Sequence, residues 1–220
     1  MRTVTTLTEK YRPRRLEQII GQDGAIRKIK RILDREAFDG GSFLIEGASG
    51  TGKTCLAHCI AGRLGVSRDG WNYVELDGDR CSVDQVRALD DQTHAAGLFS
   101  DCWRIVVVNE SHLMTHKAVG AWLTLLERLP YRWVVIFTTT ESSAGLFGPM
   151  GKPFADRSTV IVLSNQGLSK PFARLARAIA RREGLDGKPV STYENAIRRE
   201  GVKNSLRALL QRIQAGDFLD

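Results

Sequence analysis

An eight-residue, glycine-rich segment constrains the fold of this chain more than any other feature of its sequence. It matches the pattern G-x-x-x-x-G-K-[ST], and its members are Gly47, Ala48, Ser49, Gly50, Thr51, Gly52, Lys53 and Thr54. In this pattern backbone N–H groups surround phosphate oxygens, the lysine neutralises the β and γ phosphates, and the last hydroxyl binds Mg²⁺. An apolar run precedes the segment and a helical stretch follows it, as the pattern requires. The segment therefore predicts a nucleotide site, with ATP and Mg²⁺ as the expected ligands.

Short apolar runs alternate with helical patterns through the first three quarters of the chain. They predict strands at 43–46, 73–76, 104–108, 133–137 and 160–163, and helices at 53–64, 83–97 and 117–128. Because the strands are mainly apolar, we expect a parallel sheet with helices on both faces. From residue 166 onward only helical periodicity remains, at 170–183, 190–200 and 203–215. We expect an α/β nucleotide-binding domain over 1–165 and a small all-helical domain over 166–220.

A polar pair at the end of the third predicted strand is the candidate for the metal and catalytic chemistry. In P-loop ATPases this strand ends in two acidic residues, of which the first supports Mg²⁺ and the second polarises the attacking water. Here Asn109 holds the first position and Glu110 the second. We expect Glu110 to be the catalytic base and Asn109 and Thr54 to serve the metal. Hydrolysis is expected to be slow because Asn109 carries no charge; the open alternative is that the phosphates and Thr54 hold the metal well enough.

Threonines 138 to 140 end the fourth predicted strand. A hydroxyl at this edge of the sheet could place the attacking water, but threonine also favours strands for packing reasons. The spacing alone leaves both interpretations open.

Charge and cysteine content indicate the cellular setting. Lys and Arg number 32 against 25 Asp and Glu, and the net charge of +7 suggests a polyanionic partner such as DNA. Four cysteines form no C-x-x-C pair, which argues against a disulfide framework or zinc site and favours a reducing cytoplasm. No apolar run approaches the roughly 20 residues of a membrane span. We therefore expect neither membrane contact nor a signal peptide.

The motifs together resemble the clamp-loader branch of the AAA+ ATPases, which includes the bacterial tau/gamma subunit and the small subunits of replication factor C. The resemblance begins at Glu9-Lys10-Tyr11-Arg12-Pro13 and Ile20-Gly21-Gln22, continues through 83–89 and 109–114, and is most specific at 121–130. It implies an AAA+ sheet between helices, followed by a helical lid. It also implies that the adenine pocket is bordered by Tyr11, Arg12, Ile20 and Gly21.

The resemblance assigns further residues to roles. Thr140 falls at the family's sensor 1 position, with Thr139 as the second candidate. Arg157, in Asp156-Arg157-Ser158, falls where an arginine acts on the neighbouring subunit's ATP; a plain surface arginine is the alternative. Arg207, in Asn204-Ser205-Leu206-Arg207, falls at sensor 2. The remaining implied contacts are Arg87 and Lys117 with DNA phosphates, and Leu98 and Phe99 with a sliding clamp or, alternatively, with the protein's own interior.

Two functions follow as expectations from this resemblance. The first is an ATP-hydrolysing protein that oligomerises on DNA, with itself or with other subunits, and holds ATP at subunit interfaces. Its specific version is the loading of a sliding clamp in replication or repair, together with collar-bearing clamp-loader subunits. The alternative is an ATP-dependent DNA-binding scaffold, a ring or filament with weak hydrolysis, in a mobile element or repair system. Because the sequence ends at Asp220, we expect it to lack the family's collar domain; this and Asn109 favour the alternative. Binding to primed or duplex DNA near the nucleoid is expected to be independent of base sequence.

Overall fold

The computed structural model describes residues 6–94, 102–143, 145–199 and 205–219. The strands in these ranges are β1 (Gly40–Glu46), β2 (Tyr73–Asp77), β3 (Arg104–Asn109), β4 (Trp133–Thr139) and β5 (Thr159–Val162). The helices are α1 (Leu7–Lys10), α2 (Asp23–Leu33), α3 (Lys53–Arg63), α4 (Val83–His94), α5 (His116–Leu126), α6 (Gly151–Asp156), α7 (Ser169–Arg182), α8 (Val190–Arg198) and α9 (Leu206–Gln214). Every predicted strand and helix has a counterpart here, whereas α1, α2 and α6 were not predicted.

The strands of the described residues form one parallel sheet, in the order β2-β3-β4-β1-β5. β1 lies inside this sheet, between β4 and β5. Because all the strands run in one direction, their carboxyl ends share one edge, which is where open α/β sheets bind ligands. The glycine-rich segment, Asn109 and Thr139 all lie at this edge. The predicted α/β fold with a parallel sheet is confirmed.

Both faces of the sheet are buried, which explains why its central strands are mainly apolar. Alternate side chains of a strand point to opposite faces, so Ile45 packs with α2 and α3 while Leu44 packs on the side of α4, α5 and α6. On that second side Trp122 of α5 is fully buried and meets the ring of Phe137 edge-on, with the ring centroids 5.1 Å apart. None of the described helices has the length and hydropathy that a membrane crossing would require.

A third apolar cluster is formed by α7, α8 and α9, and it includes the N-terminal segment. Leu7 of α1 is buried in this cluster, and its N–H donates to the Gln214 side chain at 3.0 Å. The Tyr11 hydroxyl donates to Glu183, at the end of α7, at 2.5 Å. The first residues of the described chain are therefore anchored to its last helices.

The chain crosses between the helical cluster and the sheet at two places, before α2 and after β5. The side chain of Gln22 links these two crossings. Gln22, which is buried, donates from its side-chain amide to the carbonyl oxygen of Ser164 at 2.8 Å. The Ser164 N–H donates in return to the Gln22 amide oxygen at 3.0 Å. This reciprocal pair fixes the segment that leads into α2 against the segment that leaves β5.

A carboxylate between α7 and α8 holds the helical cluster together. Asp186, whose side chain is 8% exposed, accepts hydrogen bonds from the Tyr193 hydroxyl at 2.8 Å, from Arg181 at 2.9 Å and from Arg177 at 3.2 Å. Burial by itself would raise the pKa of Asp186, but these donors outweigh it and lower the pKa below its usual value.

We expect Asp186→Asn to lower the free energy of unfolding by about 2 kcal/mol at neutral pH, because an amide replaces a charged acceptor. The pKa of an aspartate in the unfolded chain is about 3.9, and the pKa of Asp186 in the folded protein lies below it. The ionised carboxylate therefore stabilises the fold at pH values above the unfolded-state pKa. This stabilisation is lost as the pH falls through the folded-state pKa. Urea denaturation of both proteins at pH 7 and pH 3 measures the effect. A difference in stability that is the same at both pH values would contradict the assignment.

Candidate nucleotide-binding site

A cavity of about 570 Å³ opens where the carboxyl edge of the sheet, the N-terminal segment and the helical cluster meet. Its polar end is formed by Glu110 and the glycine-rich segment from Ser49 to Thr54. Its apolar end is lined by Ile19, Ile20, Phe172, Leu175, Ile179, Leu206 and Leu210. A nucleoside triphosphate has the same division, with charged phosphates at one end and a flat base at the other.

Lys53 begins α3 at the polar end of the cavity and is only 6% exposed. Its ammonium group donates to the carbonyl oxygens of Gly47 at 2.9 Å and Ala48 at 3.3 Å. Burial lowers the pKa of Lys53, an effect that the nearby Glu110 opposes and Arg207 reinforces. A buried cation whose hydrogen-bond acceptors among the described residues are neutral carbonyl oxygens is suited to receive an anion such as a phosphate.

The glycine-rich segment touches the start of α9 directly. Gly50 has φ +80°, and a Cβ atom there would lie 2.6 Å from the Ser205 hydroxyl oxygen. Only glycine can adopt this positive φ and leave room for the Ser205 hydroxyl without strain. Ser205 also caps α9, because its hydroxyl accepts the Ala208 N–H at 3.3 Å. The cap places Arg207, in the first turn of α9, on the wall of the cavity.

Asn109 lies between the glycine-rich segment and the neighbouring strand. Its amide oxygen accepts hydrogen bonds from the hydroxyls of Thr54 at 3.2 Å and Thr138 at 3.4 Å. Its amide nitrogen donates to Glu75 of β2 at 2.7 Å. A hydrogen bond from His58, on α3, is the main cause that lowers the pKa of Glu75 to about 2. The cluster therefore places an ionised carboxylate directly behind the Asn109 amide.

The oxygen atoms of Thr54 and Asn109 are of the kind that Mg²⁺ prefers. No group of three or more His, Cys, Asp or Glu side chains that could hold a metal occurs in the part of the chain that the structure describes. The residues therefore fit a Mg²⁺ ion that takes most of its ligands from phosphate and water, as nucleotide sites commonly do.

Glu110 follows β3 in a left-handed backbone conformation, with φ 48°. Its N–H donates to the Thr138 hydroxyl at 3.2 Å, and its carboxylate lies 3.7 Å from a ring nitrogen of His112. The two nitrogens of His112 lie 3.5 Å from the Thr139 and Thr140 hydroxyls. Non-glycine residues with such strained φ values concentrate at functional sites.

Thr138 is the threonine nearest to the polar pair, although the motif comparison favoured Thr140 and then Thr139. Thr138 is buried and contacts both Asn109 and Glu110, whereas Thr140 is exposed beyond the end of β4. The pairing of Val108 with Phe137 in adjacent parallel strands explains this position, because it sets the next residues, Asn109 and Thr138, side by side.

The N-terminal segment lines the other side of the cavity. Tyr11, Arg12 and Ile20 are on its wall, as the resemblance implies, but Gly21 is not among the described residues that line it. Gly21 has φ +73°, and a Cβ atom there would lie 2.3 Å from the Leu168 side chain. Its position allows the segment to pack against the start of α7.

Arg157 lies apart from the cavity of its own chain. It ends α6, forms an ion pair with Glu127, and donates to the Pro153 carbonyl oxygen at 2.9 Å. It is not among the described residues that form the cavity wall. If Arg157 contacts a nucleotide, that nucleotide belongs to another subunit.

Arg87 and Lys117 lie together on a groove of about 450 Å³ between α4 and α5. The Arg87 side chain is 72% exposed and pairs loosely with Asp84 at 3.6 Å. The two cations are thus on one surface, as DNA contacts would require. Leu98 and Phe99, the candidate clamp contacts, lie outside the described residues, as does Asn204.

Comparisons with known proteins agree with the motifs. The chain is 29% identical over 181 residues to the replication factor C small subunit of Halobacterium salinarum, covering 81% of this chain and 53% of that protein. It is 27% identical over 157 residues to DNA polymerase III subunit gamma/tau of Mycobacterium tuberculosis, covering 61% of this chain and 27% of that protein. The chain thus spans about half the length of the first relative and less of the second. No protein-family model matches it.

A solved structure shows the same fold at lower identity. The Thermotoga maritima RuvB Holliday junction branch migration motor superimposes with a TM-score of 0.69 at 18% identity, covering 93% of this chain and 64% of that one. The sequence relatives confirm the predicted resemblance, and this fold agrees with it: the chain is a homologue of the clamp-loader AAA+ ATPases.

Proposed function

We propose that this protein binds Mg·ATP in the cavity and hydrolyses it, in the service of DNA replication or repair in the cytoplasm. One observation carries the proposal: Lys53, which is buried, and Thr54, whose hydroxyl contacts Asn109, stand at the polar end of a cavity whose other end is apolar. Phosphates would replace the carbonyl oxygens that Lys53 now contacts, while the base would lie among the apolar side chains.

The residues divide the work by their positions. Lys53 and the backbone N–H groups from Gly47 to Thr54 hold the phosphates, and Thr54 with Asn109 holds Mg²⁺, which would screen the phosphate charge. Glu110 accepts a proton from the attacking water, and a threonine of 138–140 orients that water. Tyr11, Arg12 and Ile20 border the base, with Gly21 behind them. In this proposal residues 1–165 form the nucleotide-binding domain and 166–220 the lid that carries Arg207.

The position of Arg157 supports an oligomer with ATP at the subunit interfaces, formed with itself or with related subunits. A guanidinium from one subunit would stabilise the charge that develops on the phosphates bound by the next. Arg87 and Lys117 would contact the phosphates of primed or duplex DNA without reading its bases. Loading of a sliding clamp, through Leu98 and Phe99 and with collar-bearing subunits, is the specific form of this proposal.

A second candidate function is an ATP-held scaffold on DNA, ring or filament, with weak hydrolysis. The neutral Asn109 favours it, because the first acidic residue of the pair is missing at the metal. In this alternative ATP binding assembles the subunits, and slow turnover preserves the assembly.

We expect primed duplex DNA to raise the steady-state rate of ATP hydrolysis several-fold. Arg87→Ala combined with Lys117→Ala should abolish this increase, because both cations lie on one groove. Arg31→Ala on α2, at the opposite face of the sheet, removes a similar charge and should retain the increase. If primed duplex DNA did not stimulate ATP hydrolysis, and ATP-dependent assemblies on DNA persisted without turnover, the motor would be excluded and the scaffold favoured.

A further inference from the structure

We propose that Glu75 is a positioning residue of the nucleotide site, which orients the Asn109 amide and provides, from the neighbouring strand, the negative charge that Asn109 lacks. This inference rests on the proposed function, since it concerns the Mg²⁺ side of the same cavity. Glu75 lies on β2 and has no part in the glycine-rich segment or in the polar pair after β3.

The hydrogen bond between Glu75 and Asn109 determines which way the amide faces. An ionised carboxylate only accepts hydrogen bonds, so the nitrogen of the amide must face Glu75, at 2.7 Å. The amide oxygen is thereby turned toward the Thr54 hydroxyl, at 3.2 Å. With the opposite orientation, the amide would present N–H groups to the metal side of the cavity. Glu75 thus selects the orientation in which Asn109 offers an oxygen.

Glu75 is itself held by further donors besides Asn109. The Tyr73 hydroxyl donates to it at 2.9 Å, and His58 Nε2 donates to its two oxygens at 3.2 and 3.3 Å. Arg12 lies 3.4 Å from the other ring nitrogen of His58 and can only donate to it, which leaves Nε2 to donate to Glu75. The Glu75 side chain is 27% exposed, and it accepts hydrogen bonds from Asn109, Tyr73 and His58.

The arrangement is a carboxylate–amide pair, with the carboxylate on β2 and the amide on β3. The acidic residue that P-loop ATPases place after β3 is an amide here, and the carboxylate lies one strand away, in contact with it. An aspartate at position 109 alone would place two carboxylates in contact. Combining Asn109→Asp with Glu75→Gln would again pair one carboxylate with one amide, with the charge now on residue 109.

The contact is tested by thermal unfolding of the nucleotide-free protein. We expect Asn109→Asp to lower the melting temperature by about 3 °C or more, which corresponds to about 1 kcal/mol of carboxylate repulsion. Adding Glu75→Gln to that variant should recover most of the loss, because the glutamine amide donates to the new carboxylate. Melting temperatures that change additively in the double variant would overturn the proposed contact.

The role at the nucleotide site is tested by the binding of ATP with and without Mg²⁺. Glu75→Gln keeps a hydrogen-bonding side chain but loses the charge, and should reduce the gain in ATP affinity from Mg²⁺ by roughly tenfold or more. The double variant should regain most of it, because the charge now lies on residue 109. Glu36→Gln is the matched control, since it makes the same change at an exposed position before β1, at the opposite edge of the sheet, and should have little effect.

The outcomes separate this inference from the proposed function. Mg²⁺-dependent ATP binding that is unchanged in Glu75→Gln, or reduced equally in Glu36→Gln, would overturn the role of Glu75 and leave the nucleotide site intact. A wild-type protein that binds no ATP, while the melting temperatures still show coupling between positions 75 and 109, would overturn the proposed function and with it the role of Glu75 toward Mg²⁺.

Discussion

Lys53→Ala is expected to weaken Mg·ATP binding by roughly 100-fold or more, since truncating one partner of a buried charge pair costs about 3 kcal/mol. The ammonium group of Lys53 stands at the closed end of the cavity, and the carbonyl oxygens it now contacts are neutral. Binding of a fluorescent ATP analogue measures the loss, and hydrolysis should disappear with it.

The stability of the Lys53→Ala variant distinguishes lost binding from lost folding. Burial lowers the pKa of Lys53, so its charge is costly without an anion, and its removal should leave the melting temperature of the nucleotide-free protein unchanged or higher. Lys170→Ala, at an exposed position of α7, is the matched control and should bind ATP normally. If Lys53→Ala retained normal affinity, the phosphates would have to lie elsewhere.

Arg157→Ala is expected to reduce ATP hydrolysis about 1,000-fold, the lower end of the range for such arginines, and to leave ATP binding by each subunit unchanged. The reason is its position, since Arg157 pairs with Glu127 and contributes nothing to the cavity wall of its own chain. Steady-state hydrolysis and equilibrium binding, measured on the same preparation, separate the two effects.

Mixing two inactive variants provides the decisive form of this test. A Lys53→Ala subunit binds ATP only weakly but still carries Arg157, so it should supply the guanidinium that an Arg157→Ala neighbour lacks. The mixture should therefore hydrolyse ATP although neither variant does so alone. Arg174→Ala, an exposed arginine on α7, is the matched control and should be fully active. Normal hydrolysis by the Arg157→Ala protein would show that Arg157 is a surface residue with no role in hydrolysis.

The strands were predictable because local sequence determines them. Continuous apolar runs such as 104–108 are typical of a strand that is buried on both sides, and the structure has β3 there. α2 was missed although its signal is present, since Ile26, Ile29 and Leu33 recur at helical spacing in Asp23–Leu33. α1 and α6 are too short to show periodicity, and packing by distant residues stabilises them.

The geometry of the site depended on contacts that sequence spacing does not contain. Thr138, rather than Thr140, meets Asn109 because of the pairing register between β3 and β4. Glu75 reaches Asn109 across 34 positions of sequence because β2 and β3 are neighbours in the sheet. The glycine-rich segment, by contrast, was recognisable at once, because its backbone conformation requires particular residues at fixed positions.

The anchoring of the N-terminal segment to the last helices has a mechanical consequence. Tyr11 and Arg207 belong to one body, fastened through Leu7 and Glu183, although they lie at opposite ends of the sequence. The two crossings from this body to the sheet are joined to each other by the hydrogen bonds between Gln22 and Ser164. A rotation of this body relative to the sheet would therefore move the Tyr11 ring and the Arg207 guanidinium together with respect to the glycine-rich segment.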